Sequence, residues 1–192
     1  PNMNPSLAMV LEKARHANMP KANIERAIAR AADKSSAALI EETYEAYGPG
    51  GIGIIIEVAT DNKNRTMPEV KNALNKAGGR MANPGSVMFQ FERKGVIFIT
   101  DKGDDPMMIA LDAGAEDVTE EDDGTEITTA PTDLAKVRQA LVDAGMNITS
   151  AELKYVATNK IELDGEDLEK AESLLSAVDD LDDVTAVHTN LA

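Results

Sequence analysis

From Gly95 to Tyr155 the chain alternates short apolar runs with helical stripes in the order β-α-β-β-α-β, and few folds accommodate that order. The strands are expected at Gly95 to Thr100, Glu116 to Glu121, Thr125 to Ala130 and Ile148 to Tyr155. Asp123-Gly124 between the second and third is a strong hairpin signal. The helices are expected at Pro106 to Ala113 and Thr132 to Ala144. The second of these carries Leu134, Val137, Leu141 and Ala144 on one face and is closed by Gly145. Alternation in this order is that of the split βαβ, or ferredoxin-like, domain.

The flanking segments read as its partner. Gly51 to Ala59 is rich in Ile and Val and reads as a buried strand. Thr66-Met67-Pro68-Glu69 fits a capping box, followed by a stripe of Val70, Ala73, Leu74 and Ala77 and a stop at Gly78-Gly79. Ser86 to Glu92, with Val87, Phe89 and Phe91 in alternation, is expected as a strand. After residue 158 come Lys160 to Leu163, Leu168 to Val178 and Val184 to His188 as β-α-β. Ahead of all this stand two short helices. One opens at Asn4-Pro5, where Asn caps and Pro occupies a position that needs no N–H. The other starts near Lys21 with Ile24, Ala27, Ile28 and Ala31 inward, and Ser35 to Thr43 reads as a linker. The expected fold is therefore α+β, a helical module plus two ferredoxin-like (split βαβ) domains, one inserted in the other: the helical module (1–40), a discontinuous α/β domain (41–94 with 158–192), and an acidic α/β domain inserted within it (95–157).

Composition narrows the chemistry. With no Cys and only His16 and His188, disulfides, thiolate metal sites and a histidine zinc site are not expected. No apolar run approaches the ~20 residues needed to cross a bilayer, and Pro1 to Leu7 lacks the pattern of a signal peptide. A cytoplasmic protein with no membrane partner is expected, or one inside an organelle after removal of a transit segment. Trp is absent and only six residues are Phe or Tyr, so broad aromatic platforms for bases are not expected. The net charge of −15 is unevenly spread. Residues 1–100 hold 13 Lys and Arg against 10 Asp and Glu, whereas residues 101–192 hold 6 against 24. An acidic half coupled to a mildly basic one is expected either to present different surfaces for different jobs or simply to be well solvated.

Among motifs, Gly48-Pro49-Gly50-Gly51-Ile52-Gly53 matches G-x-G-x-x-G in letters only. It precedes a strand, where a dinucleotide site needs the glycines to follow one and open a helix. The segment Tyr47 to Gly51 is read instead as a turn that meets a partner. Asp61 to Thr66 is the densest polar stretch between apolar elements. There Lys63 and Arg65 can contact phosphates and Asn62 and Asn64 can bond bases or sugars, beside a helix N-terminus. Lys71 and Arg80 extend this surface, and Lys21 and Arg26 offer backbone contacts on the helical module. The acidic runs lack the ligand alternation of a calcium loop, and no nucleophile set can be assembled. Catalysis has no support, and no cofactor or metal is expected.

Four ordered blocks resemble the YebC family. They are Asn18-Met19-Pro20-Lys21-Ala22-Asn23-Ile24-Glu25-Arg26-Ala27-Ile28, Tyr47-Gly48-Pro49-Gly50-Gly51, Thr60 to Thr66 and Gly85-Ser86-Val87. The family includes YebC/PmpR-type transcriptional regulators and is related to the mitochondrial translational activator of cytochrome c oxidase subunit I. The resemblance implies a helical domain and two α/β domains. It also implies a non-enzymatic role in gene expression, as a DNA-binding transcriptional regulator or a ribosome-associated translation factor relieving stalls on proline-rich sequences. Implied partners are DNA, or ribosomal RNA and tRNA on the ribosome, with a monomer the favoured state. The His-Ser-Lys-Trp-like block of the family is absent, which implies a chain beginning inside the helical domain. The alternative is a small-molecule sensor or protein-interaction module built on ferredoxin-like domains.

Overall fold

A computed structural model describes residues 7, 10, 11, 14, 15, 18–32 and 39–192. The expected Asn4-Pro5 cap, His16 and the side chain of Ala31 lie outside the described residues. The chain divides into two compact units. One holds residues 93–154 together with the described part of 1–36, the other residues 39–92 with 155–192.

In the first unit, helix α1 (Lys21–Ala32) begins where expected, with Ile24 and Ile28 half-buried and Ala27 exposed. The α/β part uses strands β4 (Phe91–Ile99), β5 (Asp117–Glu120), β6 (Thr125–Thr129) and β7 (Ile148–Ala157), with helices α3 (Asp104–Ala113) and α4 (Leu134–Asp143). The sheet order is β5-β6-β4-β7. That is the ferredoxin-like arrangement for chain order β-α-β-β-α-β. Ile97, Ile99 and Ile127 of the sheet pack on Ala110, Ala113, Leu134, Val137 and Leu141 of the helices.

The second unit contains β1 (Ile40–Tyr47), β2 (Gly53–Thr60), α2 (Lys63–Lys76), β3 (Arg80–Met81), α5 (Gly165–Asp179) and β8 (Val184–Thr189). Its sheet order is β3-β1-β2-β8, with β1 antiparallel to both β2 and β3 and β2 antiparallel to β8. Tyr44, Ala46, Ile54, Ile56 and Val58 bury one sheet face against Val70 and Leu74 of α2 and Ala171, Leu174 and Val178 of α5. Each fully buried aliphatic side chain there contributes about 1.5–3 kcal/mol of transfer free energy. The opposite face holds Ile55, packed with Val87 and Phe91.

Four local expectations change. Ile40 to Thr43 belongs to strand β1 instead of a linker. Its polar alternation hid the period because Glu45, on the face opposite Tyr44 and Ala46, is a buried carboxylate. Ser86 to Gln90 is not a strand: Met88–Gln90 is a 3-10 turn and β4 starts at Phe91. The Glu45 carboxylate takes the N–H groups that a strand ladder would use. Helix α2 starts three residues before Thr66, capped by Asn62, whose Oδ1 accepts the Asn64 N–H at 3.1 Å. Pro68 thus lies inside the helix and removes one ladder bond. Finally, Lys160 to Leu163 forms only a single bridge, Ile161 to Leu191.

Candidate nucleic-acid interface

The β2–α2 junction folds its polar residues onto each other. Thr60 ends β2, and its hydroxyl donates to Asp183 Oδ2 at 3.0 Å while accepting the Asn62 N–H at 2.9 Å. The buried Thr66 hydroxyl reaches the same carboxylate oxygen at 2.5 Å. Arg65 Nη2 donates to Asp183 at 2.8 Å and to Asp61 at 3.2 Å. Donation from Thr66 and Arg65 outweighs the opposing effect of burial, and Thr60 adds to it, so the Asp183 carboxyl titrates below its usual range. The Arg65 guanidinium is correspondingly held above its ordinary value by its bond to Asp183. Lys63 Nζ bonds Glu42 on β1. Lys63 and Arg65 are therefore engaged with carboxylates, and a phosphate would have to exchange with them. Asn62 is committed to the cap through its side chain, whereas Asn64 is exposed.

Next to this junction, the Tyr44 hydroxyl is buried with no hydrogen-bond partner among the described residues. Burial, reinforced by the Glu42 charge, raises its pKa.

At the other end of α2 the cations are freer. Lys71 and Lys76 are exposed, with no carboxylate partner among the described residues. Arg80 on β3 pairs in register with Tyr47, and its guanidinium lies 5.3 Å from the Tyr47 ring centroid, a cation–π contact. Tyr47, Gly48, Gly51, Gly78, Gly79 and Arg80 line an open recess of about 320 Å³. The turn from Gly48 to Ile52 closes against its own chain: Gly50 has φ +66°, and a Cβ there would stand 2.3 Å from Leu163 Cδ2. Lys21 and Arg26 are exposed on α1, the former 3.7 Å from Glu25 and the latter bonding Asn23 at 3.5 Å.

The loop after β3, which holds the Gly85-Ser86-Val87 block, is built on a partner that the sequence does not show. Backbone N–H groups of Gly85, Val87 and Met88 all donate to the Glu45 carboxylate, the last two at 2.6 and 2.9 Å. Burial would raise this carboxyl, but the N–H donors of residues 85–88 hold it below its usual value. The Tyr47 hydroxyl adds a bond to the Ser86 carbonyl at 2.8 Å. Gly85-Ser86-Val87 is thus anchored to β1 by a glutamate and a tyrosine two residues apart. Lys76, in the last turn of α2, was not among the expected contacts, although the Gly78-Gly79 stop places it there. From Val70 to Phe91, 22 residues, there is no Asp or Glu, yet Lys71, Lys76 and Arg80 all fall within it.

The family model for the second and third domains of TACO1/YebC proteins matches residues 39–191, and the model for their N-terminal domain matches residues 1–34. The chain belongs to the TACO1/YebC family. A protein of Desulforamulus reducens named "Probable transcriptional regulatory protein" is 45% identical over 99% of this chain and 81% of its own length. The Deinococcus radiodurans protein of the same name is 43% identical, over 99% and 79%. The crystal structure of a conserved hypothetical protein from Aquifex aeolicus superposes with a TM-score of 0.89 at 35% identity, covering all of this chain and 81% of that one. The TACO1/YebC fold, with two four-stranded antiparallel sheets, is therefore that of the present chain. No described helix is long and apolar enough to cross a membrane.

Proposed function

We propose that this TACO1/YebC chain regulates gene expression by binding nucleic acid, without a catalytic step. The observation that carries this reading is the acid-free run from Val70 to Phe91. In a chain of net charge −15, a polyanion is met with least repulsion by segments that carry cations and no carboxylate of their own, and this run holds three cations and none. Lys71 and Arg80 are the leading phosphate contacts, joined by Lys76. Arg65 and Lys63 act after exchange with Asp183 and Glu42, and Asn64 can bond a base or sugar. Lys21 and Arg26 supply backbone contacts from α1. The names of the relatives favour transcription, with DNA as the target; translation, with RNA on the ribosome, is separated from it by experiment.

Binding to duplex DNA, to single-stranded RNA and to purified ribosomes across a salt series decides the matter. Arg80→Ala and Lys71→Ala should each reduce the slope of log K against log salt by about 0.9 on duplex DNA, or about 0.7 on single strands. Preference for ribosomes supports the translation role, and sequence-selective duplex binding the transcriptional one. Absence of salt-dependent affinity for all three refutes nucleic-acid binding.

A further inference from the structure

Phe89 is 74% exposed, whereas Phe91 is buried and Phe98 is half-buried. These are the chain's three phenylalanines. The exposed ring is carried on backbone that is fixed on both sides. Ahead of it, Val87 is fully buried and the N–H groups of Val87 and Met88 are held by Glu45. Behind it, the Gln90 carbonyl accepts from the Thr158 N–H at 2.9 Å and the Thr158 hydroxyl at 3.0 Å. The Gln90 side-chain oxygen accepts from Asn190 Nδ2 at 3.0 Å, and Asn190 Oδ1 in turn takes the Gly53 N–H at 2.8 Å. The Gln90 N–H closes the turn on the Val87 carbonyl at 2.9 Å. A pinned turn of this kind presents a large rigid ring whose ordering cost is met before any partner arrives.

The surroundings of the ring select its occupant. Anchors for protein partners sit inside apolar clusters ringed by further contacts. Phe89 is the sole exposed large apolar residue of the segment from Arg80 to Glu92; of its turn, Val87 is buried, Met88 packs partly buried beside it, and the rest is Asn83, Pro84, Gly85, Ser86 and Gln90. No carboxylate occurs in the sequence for 19 residues before it or for two after it, and Glu45 beneath the loop is buried and committed to N–H donors. Tyr47 connects the loop to a cation, its ring against the Arg80 guanidinium and its hydroxyl on the Ser86 carbonyl. A lone exposed ring, an arginine linked to its turn through Tyr47, and a run of sequence free of carboxylates match an unpaired base with its phosphate.

We propose that Phe89 is a stacking platform for an unpaired nucleobase, with Arg80 taking a neighbouring phosphate; this rests on the nucleic-acid reading above. Stacking accepts any base, so affinity from this contact depends on single-strandedness and not on sequence.

The test uses the full chain and 12-nucleotide RNA and DNA single strands carrying one 2-aminopurine, with the matching duplexes as controls. The wild type is expected to change the 2-aminopurine fluorescence of the single strands and not of the duplexes. Phe89→Ala should abolish that change and weaken single-strand binding by about 5- to 150-fold, the range of one base stack, with the salt slope kept. Phe89→Trp should restore both, and Arg80→Ala should lower the slope while the fluorescence change persists. If Phe89→Ala leaves the signal and affinity intact while salt-dependent binding continues, stacking is wrong and nucleic-acid binding stands; Phe89 then belongs to a protein interface. An equal loss on duplex and single strand also overturns stacking. A wild type that binds none of the probes overturns both.

Discussion

Replacing Glu45 with Gln isolates the device that shapes the loop. The glutamine keeps the volume but has one carbonyl oxygen where the glutamate has two, and its NH2 group faces N–H donors. Glu45 accepts from Gly85, Val87 and Met88, and the Val87 N–H lies in a buried environment. Losing one charge-assisted acceptor there costs about 1.5–3 kcal/mol, the range for hydrogen bonds to charged groups. The loss should be local first: amide exchange at residues 85, 87 and 88 should accelerate in NMR spectra of Glu45→Gln, and the urea midpoint should fall. The pH dependence supplies the sharper test. Because the Glu45 carboxyl is lowered on folding from its ordinary 4.5, its stabilisation is complete above that value and disappears as pH falls through the lower folded value. The gap between wild type and variant should therefore be widest near neutrality and shrink in acid. A gap that is the same at pH 7 and pH 3, or unchanged exchange at residues 85–88, would refute this account of the loop.

Other consequences are directly measurable. Tyr44→Phe removes a buried hydroxyl without a partner, so it should leave stability unchanged or raise it by about 1–3 kcal/mol; a clear loss in urea unfolding would reveal a missed bond. Gly50→Ala meets both a left-handed φ of +66° and Leu163, and should cost about 1–3 kcal/mol in the same assay. Asp183→Asn should lower stability most at neutral pH, since the native carboxylate's contribution is full above its ordinary 3.8 and is lost as pH falls through its lower folded value. Combined with Asp61→Asn, which removes the other carboxylate on Arg65, the same change should steepen the salt dependence of single-strand binding by about 0.7; an unchanged slope in the double variant excludes Arg65 as a latent phosphate contact.

Elements whose side chains follow a simple period were legible in the sequence. Val70 and Leu74 of one stripe and Leu134, Val137 and Leu141 of another are buried as their spacing predicts, while Ala144, the end of the second stripe, is exposed. The Asp123-Gly124 signal falls between β5 and β6, which pair antiparallel. What escaped was structure set by distant polar partners. β1 reads as polar because Glu45 is buried for the sake of N–H groups some 40 residues away. Phe89 reads as inward because alternation carries no trace of the turn those bonds impose. At the candidate site, residue types were legible but their engagement was not: Asp183, which binds Arg65, lies 118 residues further along the chain.

That separation bears on how the protein is made. Strand β2 has β1 on one side from the outset, but its other neighbour, β8, is synthesised only after β3 to β7 and α2 to α5. Thr60 and Asp183, joined across this seam, are 123 residues apart. At about 5–20 residues per second, the edge of β2 waits roughly 6–25 s for its partner. During that interval Ile54, Ile55 and Ile56 stand beside unpaired backbone groups, the combination that invites pairing with another nascent chain. The acidic segment made in the interim, with its preponderance of Asp and Glu, repels a second copy of itself.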